Sequence, residues 1–357
     1  MHKSPPRSEA CFLEGNGPAD EARSTPGGPL LSSGVRLVLL VLLVLLAGST
    51  ASHGQTNALS VAAPTADPSH AAETPEPTEK EYRKVLAGDD AAQAEVDRWI
   101  KDNEKFAAQG GGVSREELRV RIEGRFSPVR KAYQEFLQRH PDHARARLAY
   151  GSFLNDLEDE EGAMAQWEKA RELDPKNPAA WNNLANLYAH RGPVAKAFEY
   201  FGKAIALNPR ESLYYHSLGT CIYLFRRDAT NFYHLSDQQV FDKALGLYAE
   251  AQKLDPDNFP LATDIAQTYY GIEPMRTDAA LKAWNYALKL AGDEIEREGV
   301  YMHLARIQIK AGRFDEARRQ LDAITNAMYA ELKQRLARNL AEKQAQATTN
   351  APAAARP

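Results

Sequence analysis

The sequence predicts an all-α fold, a solenoid of antiparallel helix pairs, and three observations predict it. The first is a period: Pro141, Pro175 and Pro209 stand 34 residues apart, as do Ala163 and Ala197, Trp167 and Phe201, and Ala170 and Ala204. The second is a pair of amphipathic stripes within one period. Trp181, Leu184, Ala185 and Tyr188 recur at i, i+3, i+4, i+7, and Ala197, Tyr200, Phe201, Ala204 and Ile205 follow on one helical face. The third is punctuation. Gly192-Pro193 separates the stripes, because Gly ends a helix readily and Pro suits the first turn of the next, and Asn208-Pro209 stops the second helix. Neither helix can bury its stripe alone, so the pair requires neighbours.

A unit of this length and pattern resembles the tetratricopeptide repeat (TPR). The stretch Asn177–Pro209 matches it at Trp181, Leu184, Ala185, Tyr188, Ala197, Phe201, Ala204 and Pro209. The resemblance covers about Ser114–Ile324 and implies a right-handed superhelix in which small residues mark close helix approaches and aromatics fill the space between pairs. It also implies that the first helices line a concave groove.

Residues 1–54 read as an N-terminal extension plus signal peptide. Leu37–Ala47 is an uncharged apolar run behind Arg36; a membrane span needs roughly 20 such residues, a signal-peptide core about 7–15. Ser49-Thr50-Ala51 supplies small residues for cleavage, and the acids and prolines of 1–34 suggest translation from near Val35. Export to a periplasmic or extracellular compartment follows as an expectation, with a retained anchor through 37–47 as the alternative. Residues 55–80 are rich in Ala, Pro, Thr and Glu and read as a disordered linker.

A capping helix is expected over 81–113, capped at Asp89-Asp90, with Val96, Trp99, Ile100 and Phe106 on one face. A divergent TPR-like unit follows over 114–143, opened by a Ser114–Glu117 capping box, with a second helix starting at Ser127-Pro128. The solenoid proper spans 144–325. Arg147 stands there where the repeat often has Trp. Pro209 and Pro256 lie 47 residues apart rather than 34, which places an insertion at about 226–236 as an extended elbow bearing Phe232, Tyr233 and His234. A capping box at Ser236 and Gln239 starts the next helix near Asp237. A C-terminal capping helix is expected over 326–345 and a disordered tail over 346–357.

The formal net charge of −4 offers no electrostatic footprint for nucleic acid. Of two cysteines, Cys11 and Cys221, only Cys221 follows the signal, on an apolar stripe, as a buried thiol. No phosphate loop, zinc spacing or nucleophile elbow is present, and the acidic run Glu158–Glu161 reads as a solvated turn. The sequence therefore gives no catalytic, cofactor or metal residues.

What remains is surface. Carried over from the resemblance, the groove positions are Arg145, Ser152 and Asn155; Asn182, Asn186 and His190; His216, Thr220 and Tyr223; Thr263, Gln267 and Tyr270; and Arg306. Amides, hydroxyls and tyrosines suit an extended peptide backbone, and Asn182 and Asn186 lie one turn apart. No Lys stands beside this Asn pair, unlike relatives that clamp chaperone carboxylates. The expected function is a protein–protein interaction scaffold without catalysis, its partner unidentified. The alternatives are an envelope enzyme using groove or elbow histidines (His216, His234) and a membrane-anchored assembly factor.

Overall fold

The structure, a computed structural model, describes residues 76–107 and 110–350. The signal-peptide reading, most of the expected linker and the last seven residues of the tail lie outside these. Among the described residues no strand is present, and fourteen α-helices follow one another.

Six helix pairs and a closing helix account for nearly all of them. The first pair is α1 (Pro77–Ala107) and α2 (Arg115–Arg139), followed by α3 (Ala144–Asp156) with α4 (Glu160–Leu173) and α5 (Pro178–Arg191) with α6 (Val194–Leu207). Next, α7 (Ser212–Leu224) pairs with α9 (Asp237–Leu254), and between them lies the short helix α8 (Arg226–Tyr233). Then α10 (Phe259–Thr268), extended by a 3-10 turn (Tyr269–Gly271), pairs with α11 (Thr277–Leu290), and α12 (Glu294–Lys310) with α13 (Phe314–Asp322). The closing helix is α14 (Ala330–Asn350). Short polar side chains start many of these helices by accepting an orphan backbone N–H: Asp159 from Gly162, Asn177 from Ala179, Asn258 from Leu261 and Asp293 from Glu296. At Ser236 and Gln239 both halves of the capping box form; at Ser114 the side chain accepts from Glu117 N at 3.2 Å.

The register read from the period is the register of the core. Ala163, Ala197, Ala244, Ala280 and Ala317, at one position of five successive second helices, are each 0% exposed. Four residues on from the first four of these, Trp167, Phe201, Tyr248 and Trp284 are 4, 1, 2 and 1% exposed, and Tyr133 continues the series in α2. Each such aromatic contributes about 3 kcal/mol by leaving water. Close approach also explains the small residues of the first helices: a methyl group on Gly151 would lie 2.5 Å from the Trp167 ring, and one on Gly219 2.9 Å from Tyr248. Trp181 is less of a plug than its signature position suggests. It is half-buried, with its indole N–H donating to Pro175 O at 2.9 Å.

Four expectations change. First, α1 begins at Pro77, inside the expected linker, and Asp89-Asp90 are interior rather than capping residues. Second, residues 114–143 do not make a helix pair: α2 runs unbroken through Ser127-Pro128, so α1 and α2 together form the first unit. Tyr82, Val85 and Leu86 precede Arg147, Tyr150 and Gly151 by 65 residues where one repeat takes 34. The extra residues lengthen both helices into a hairpin whose far end carries exposed Phe106 and Val120. The hairpin base is fixed by Glu79 to Arg145 at 3.1 Å and by Glu81 to Arg139 and His140. Third, the insertion is a helix rather than an extended elbow. Its Phe232 and Tyr233 rings pack 5.3 and 5.4 Å from Phe198, and His234 closes it in the left-handed region at φ 54°. Fourth, α14 continues to Asn350, through the start of the expected tail.

Candidate partner-binding groove

First helices α1, α3, α5 and α7 meet one another from unit to unit, whereas successive second helices make no comparable contact. A stack that is tighter on one side curves toward that side, so α1, α3, α5 and α7 form the candidate inner face. On α5 the consequence is visible residue by residue. The helix is buried at Ala180, Asn182, Asn183, Leu184, Ala185, Leu187, Tyr188 and Ala189, while Asn186 and His190, one turn apart, are exposed.

The two asparagines expected to act together are thus separated. Asn182 is 1% exposed, with a buried Oδ1 that has no hydrogen-bond partner among the described residues. Only Asn186 can present its amide. Adjacent Asn183 reaches the neighbouring helix instead, its Nδ2 donating to Ser152 Oγ at 3.5 Å. Ser152 itself donates to Leu148 O, and Asn155 is exposed one turn further along α3. Arg145 is exposed but held, paired with Glu79 and 5.1 Å above the Tyr82 ring.

On α7, His216 is half-buried, with Nε2 3.1 Å from Asp264 Oδ2 of α10. That contact joins two first helices across the groove face. Thr220 lies 3.1 Å from the Tyr248 hydroxyl, whose pKa burial raises to about 12. Tyr223 is 6% exposed and packs under Gly271, where a methyl group would lie 2.2 Å from its hydroxyl, so it does not present a face to a partner. Of the α10 positions, Thr263 donates to Pro260 O at 2.8 Å and Gln267 is half-buried.

The C-terminal end of the row is aromatic. The Tyr270 hydroxyl lies 3.0 Å from His303 Nδ1 and 3.3 Å from its carbonyl oxygen. The imidazole stacks on Trp284 at 4.0 Å between centroids and 5° between planes. Burial, and then the nearby Arg306 charge, lower the His303 pKa to about 4, so the ring is neutral at pH 7. Arg306 holds its guanidinium 4.8 Å above the Tyr270 ring. Asp264 and His303 were not among the positions read from the sequence. Asp264 immediately follows Thr263 and His303 stands three residues before Arg306 on the same helix, and only the cross-helix partner singles each out.

The remaining candidates for chemistry are engaged in packing. Cys221 is 4% exposed, and burial, with the Asp228 charge adding to it, pushes its thiol up to about 12. Among the described residues no group of three or more His, Cys, Asp or Glu is placed to hold a metal ion. None of their helices is long and apolar enough to cross a membrane.

Sequence comparison agrees with the repeat. Family models described as TPR repeat and tetratricopeptide repeat match residues 151–192, 178–211 and 130–171. An N-terminal acetyltransferase A complex subunit-like protein of Schizosaccharomyces pombe is 29% identical over 93 residues, which is 26% of this chain and 13% of that protein. Among solved structures, PilW, titled a widely conserved type IV pilus biogenesis factor, is similar at TM-score 0.48 and 16% identity, over 62% of this chain and 94% of that one. YrrB, titled a TPR protein with an unusual peptide-binding site, is similar at TM-score 0.45 and 16% identity, over 58% of this chain and 99% of that one.

Proposed function

Because the chain is a tetratricopeptide repeat protein, and such repeats serve as protein-interaction scaffolds, we propose that it binds an extended peptide or protein segment along the inner face of its first helices, without catalysis. One observation carries the reading. Helix α5 is buried at eight positions, and what it leaves exposed on its inner face is an amide and an imidazole, Asn186 and His190. Asn155, His216, Thr263 and Gln267 continue a row of half-buried to exposed polar groups on the neighbouring first helices. Such groups suit backbone amides of a ligand, each hydrogen bond contributing about 0.5–1.5 kcal/mol. The test is site-specific photo-crosslinking from Asn186, which is expected to capture a partner.

The apolar run Leu37–Ala47 supports a further part of the proposal, that the scaffold works in a periplasmic or extracellular compartment after export. The intact mass of the mature chain separates a cleaved signal from an anchor that keeps 37–47.

A further inference from the structure

The helix stack is not equally tight along its length. At three unit boundaries the second helix of one unit packs along the first helix of the next: α4 on α5, α6 on α7 and α11 on α12. Between the fourth and fifth units, α9 and α10 meet over a short stretch only, and the backbones of α7 and α10 scarcely approach. The core divides at the same place. One buried cluster runs from α1 to α9 and another joins the fifth and sixth units. Between them Tyr248, Ala251, Leu261 and Ile265 make a small cluster of their own.

The rest of this boundary is a loop and polar groups. Ile272, in the turn before α11, is 0% exposed and buried in the cluster of the first four units rather than in that of its own unit. Beside it, Gly271 lies against the Tyr223 hydroxyl. Around this plug, Gln238 Nε2 donates to Glu273 O at 2.8 Å, and Arg276 reaches Asp242 at 2.5 Å and Gln238 Oε1 at 3.0 Å. On the inner face the contact is His216 Nε2 with Asp264 Oδ2, 3.1 Å apart.

These two kinds of boundary respond differently to rotation. Two helices packed along their length lose many dispersion contacts together when one turns against the other. A single side chain seated in a socket can rotate there, and partly exposed polar pairs hold it back only weakly. Sparse buried contact is also the mark of a place that opens first. We propose that the solenoid hinges between its fourth and fifth units about Ile272, and that the His216–Asp264 contact is the clasp that holds α10 against α7 on the inner face. Opening the clasp moves Tyr270 and α12 away from Asn186 and α5 without a change inside either arm. The hinge does not depend on what the inner face binds.

Pairs of spin labels on the full-length protein test it. The chain carries Cys11→Ala, and its remaining native cysteine, Cys221, is 4% exposed. One pair, Lys203→Cys with Arg319→Cys, crosses the hinge; a control pair, Glu135→Cys with Ala249→Cys, lies within the first four units. All four positions are exposed on second helices, and each pair is three units apart. With His216→Ala, and separately with the milder Asp264→Asn, the distance across the hinge is expected to broaden or shift by about 5 Å, a swing of about 15° over two units of about 10 Å each. The control pair is expected to keep its wild-type distribution. A hinge-crossing distance unchanged in both variants overturns the proposal. Equal broadening of both pairs overturns it as well, because the loosening is then spread along the whole solenoid.

Discussion

Trp284→Ala is expected to destabilise the folded chain by about 3–5 kcal/mol, the range for removing a fully buried large aromatic. The indole is 1% exposed and belongs to a cluster with Ala262, Ala266, Ala280 and Leu304 that joins the fifth and sixth units. Its removal empties that space and also removes the surface on which His303 stacks. Chemical denaturation of wild type and variant measures the loss. Because neighbouring repeats stabilise one another across their interfaces, the transition should also broaden or split as the C-terminal units uncouple. The same substitution at Trp181, which is only half-buried, should cost less. A larger loss at Trp181 than at Trp284 would contradict the burial pattern.

Glu298→Ala is expected to cost about 3 kcal/mol, through a different mechanism. Glu298 is 2% exposed on α12, and its carboxylate accepts from Thr325 N at 3.0 Å, Thr325 Oγ1 at 2.9 Å and Asn326 N at 2.9 Å. These contacts fix the turn from which α14 departs to cover Met302, Ala305, Leu321 and Ile324. Alanine leaves three donors without their acceptor, each worth about 1 kcal/mol or more. The interaction is also pH-dependent. Burial alone would raise the Glu298 pKa, but the two backbone N–H donors, the Thr325 hydroxyl and Lys333 together bring it below the usual 4.5. A carboxyl whose folded pKa is depressed contributes stability that is complete above the unfolded value and is lost as pH falls through the folded value. The difference in unfolding free energy between wild type and Glu298→Gln should therefore be constant near neutrality and shrink on acidification below pH 4.5. A difference that grows on acidification would contradict the assignment.

The body of the solenoid was legible because its signals are local and repeated. Pro141, Pro175 and Pro209 end helices, and the alanine at 163, 197, 244, 280 and 317 marks each close approach, so the count of residues alone gives the register. The ends were less legible because local signals there compete with tertiary ones. Ser127-Pro128 has the chemistry of a helix start, yet α2 continues through it, since Phe126 and Val129 on either side are both buried. Proline at that point lacks one N–H and is tolerated at the cost of one intrahelical bond. The insertion was located by counting, but its helical form depends on Phe232 and Tyr233 finding Phe198 in the preceding unit, which no local pattern encodes.

The candidate groove was legible by position and not by exposure. Helical spacing places Asn182 and Asn186 on one side, one turn apart, but the packing of α3 and α7 against α5 decides which amide is covered. Spacing likewise could not show that Tyr223 lies under Gly271. Those facts arise from residues 33 to 48 positions away in the chain, such as Tyr270 with His303 and His216 with Asp264.

The most direct test of a binding groove compares its two faces. A photo-reactive phenylalanine analogue is placed at Asn186, on the inner face, and in a separate protein at Lys203, exposed on the second helix α6. Both full-length proteins are irradiated in their native compartment. The account predicts a discrete partner adduct from Asn186, absent from Lys203 and lost when excess partner segment is added. An adduct from Lys203 that does not form from Asn186 would contradict it.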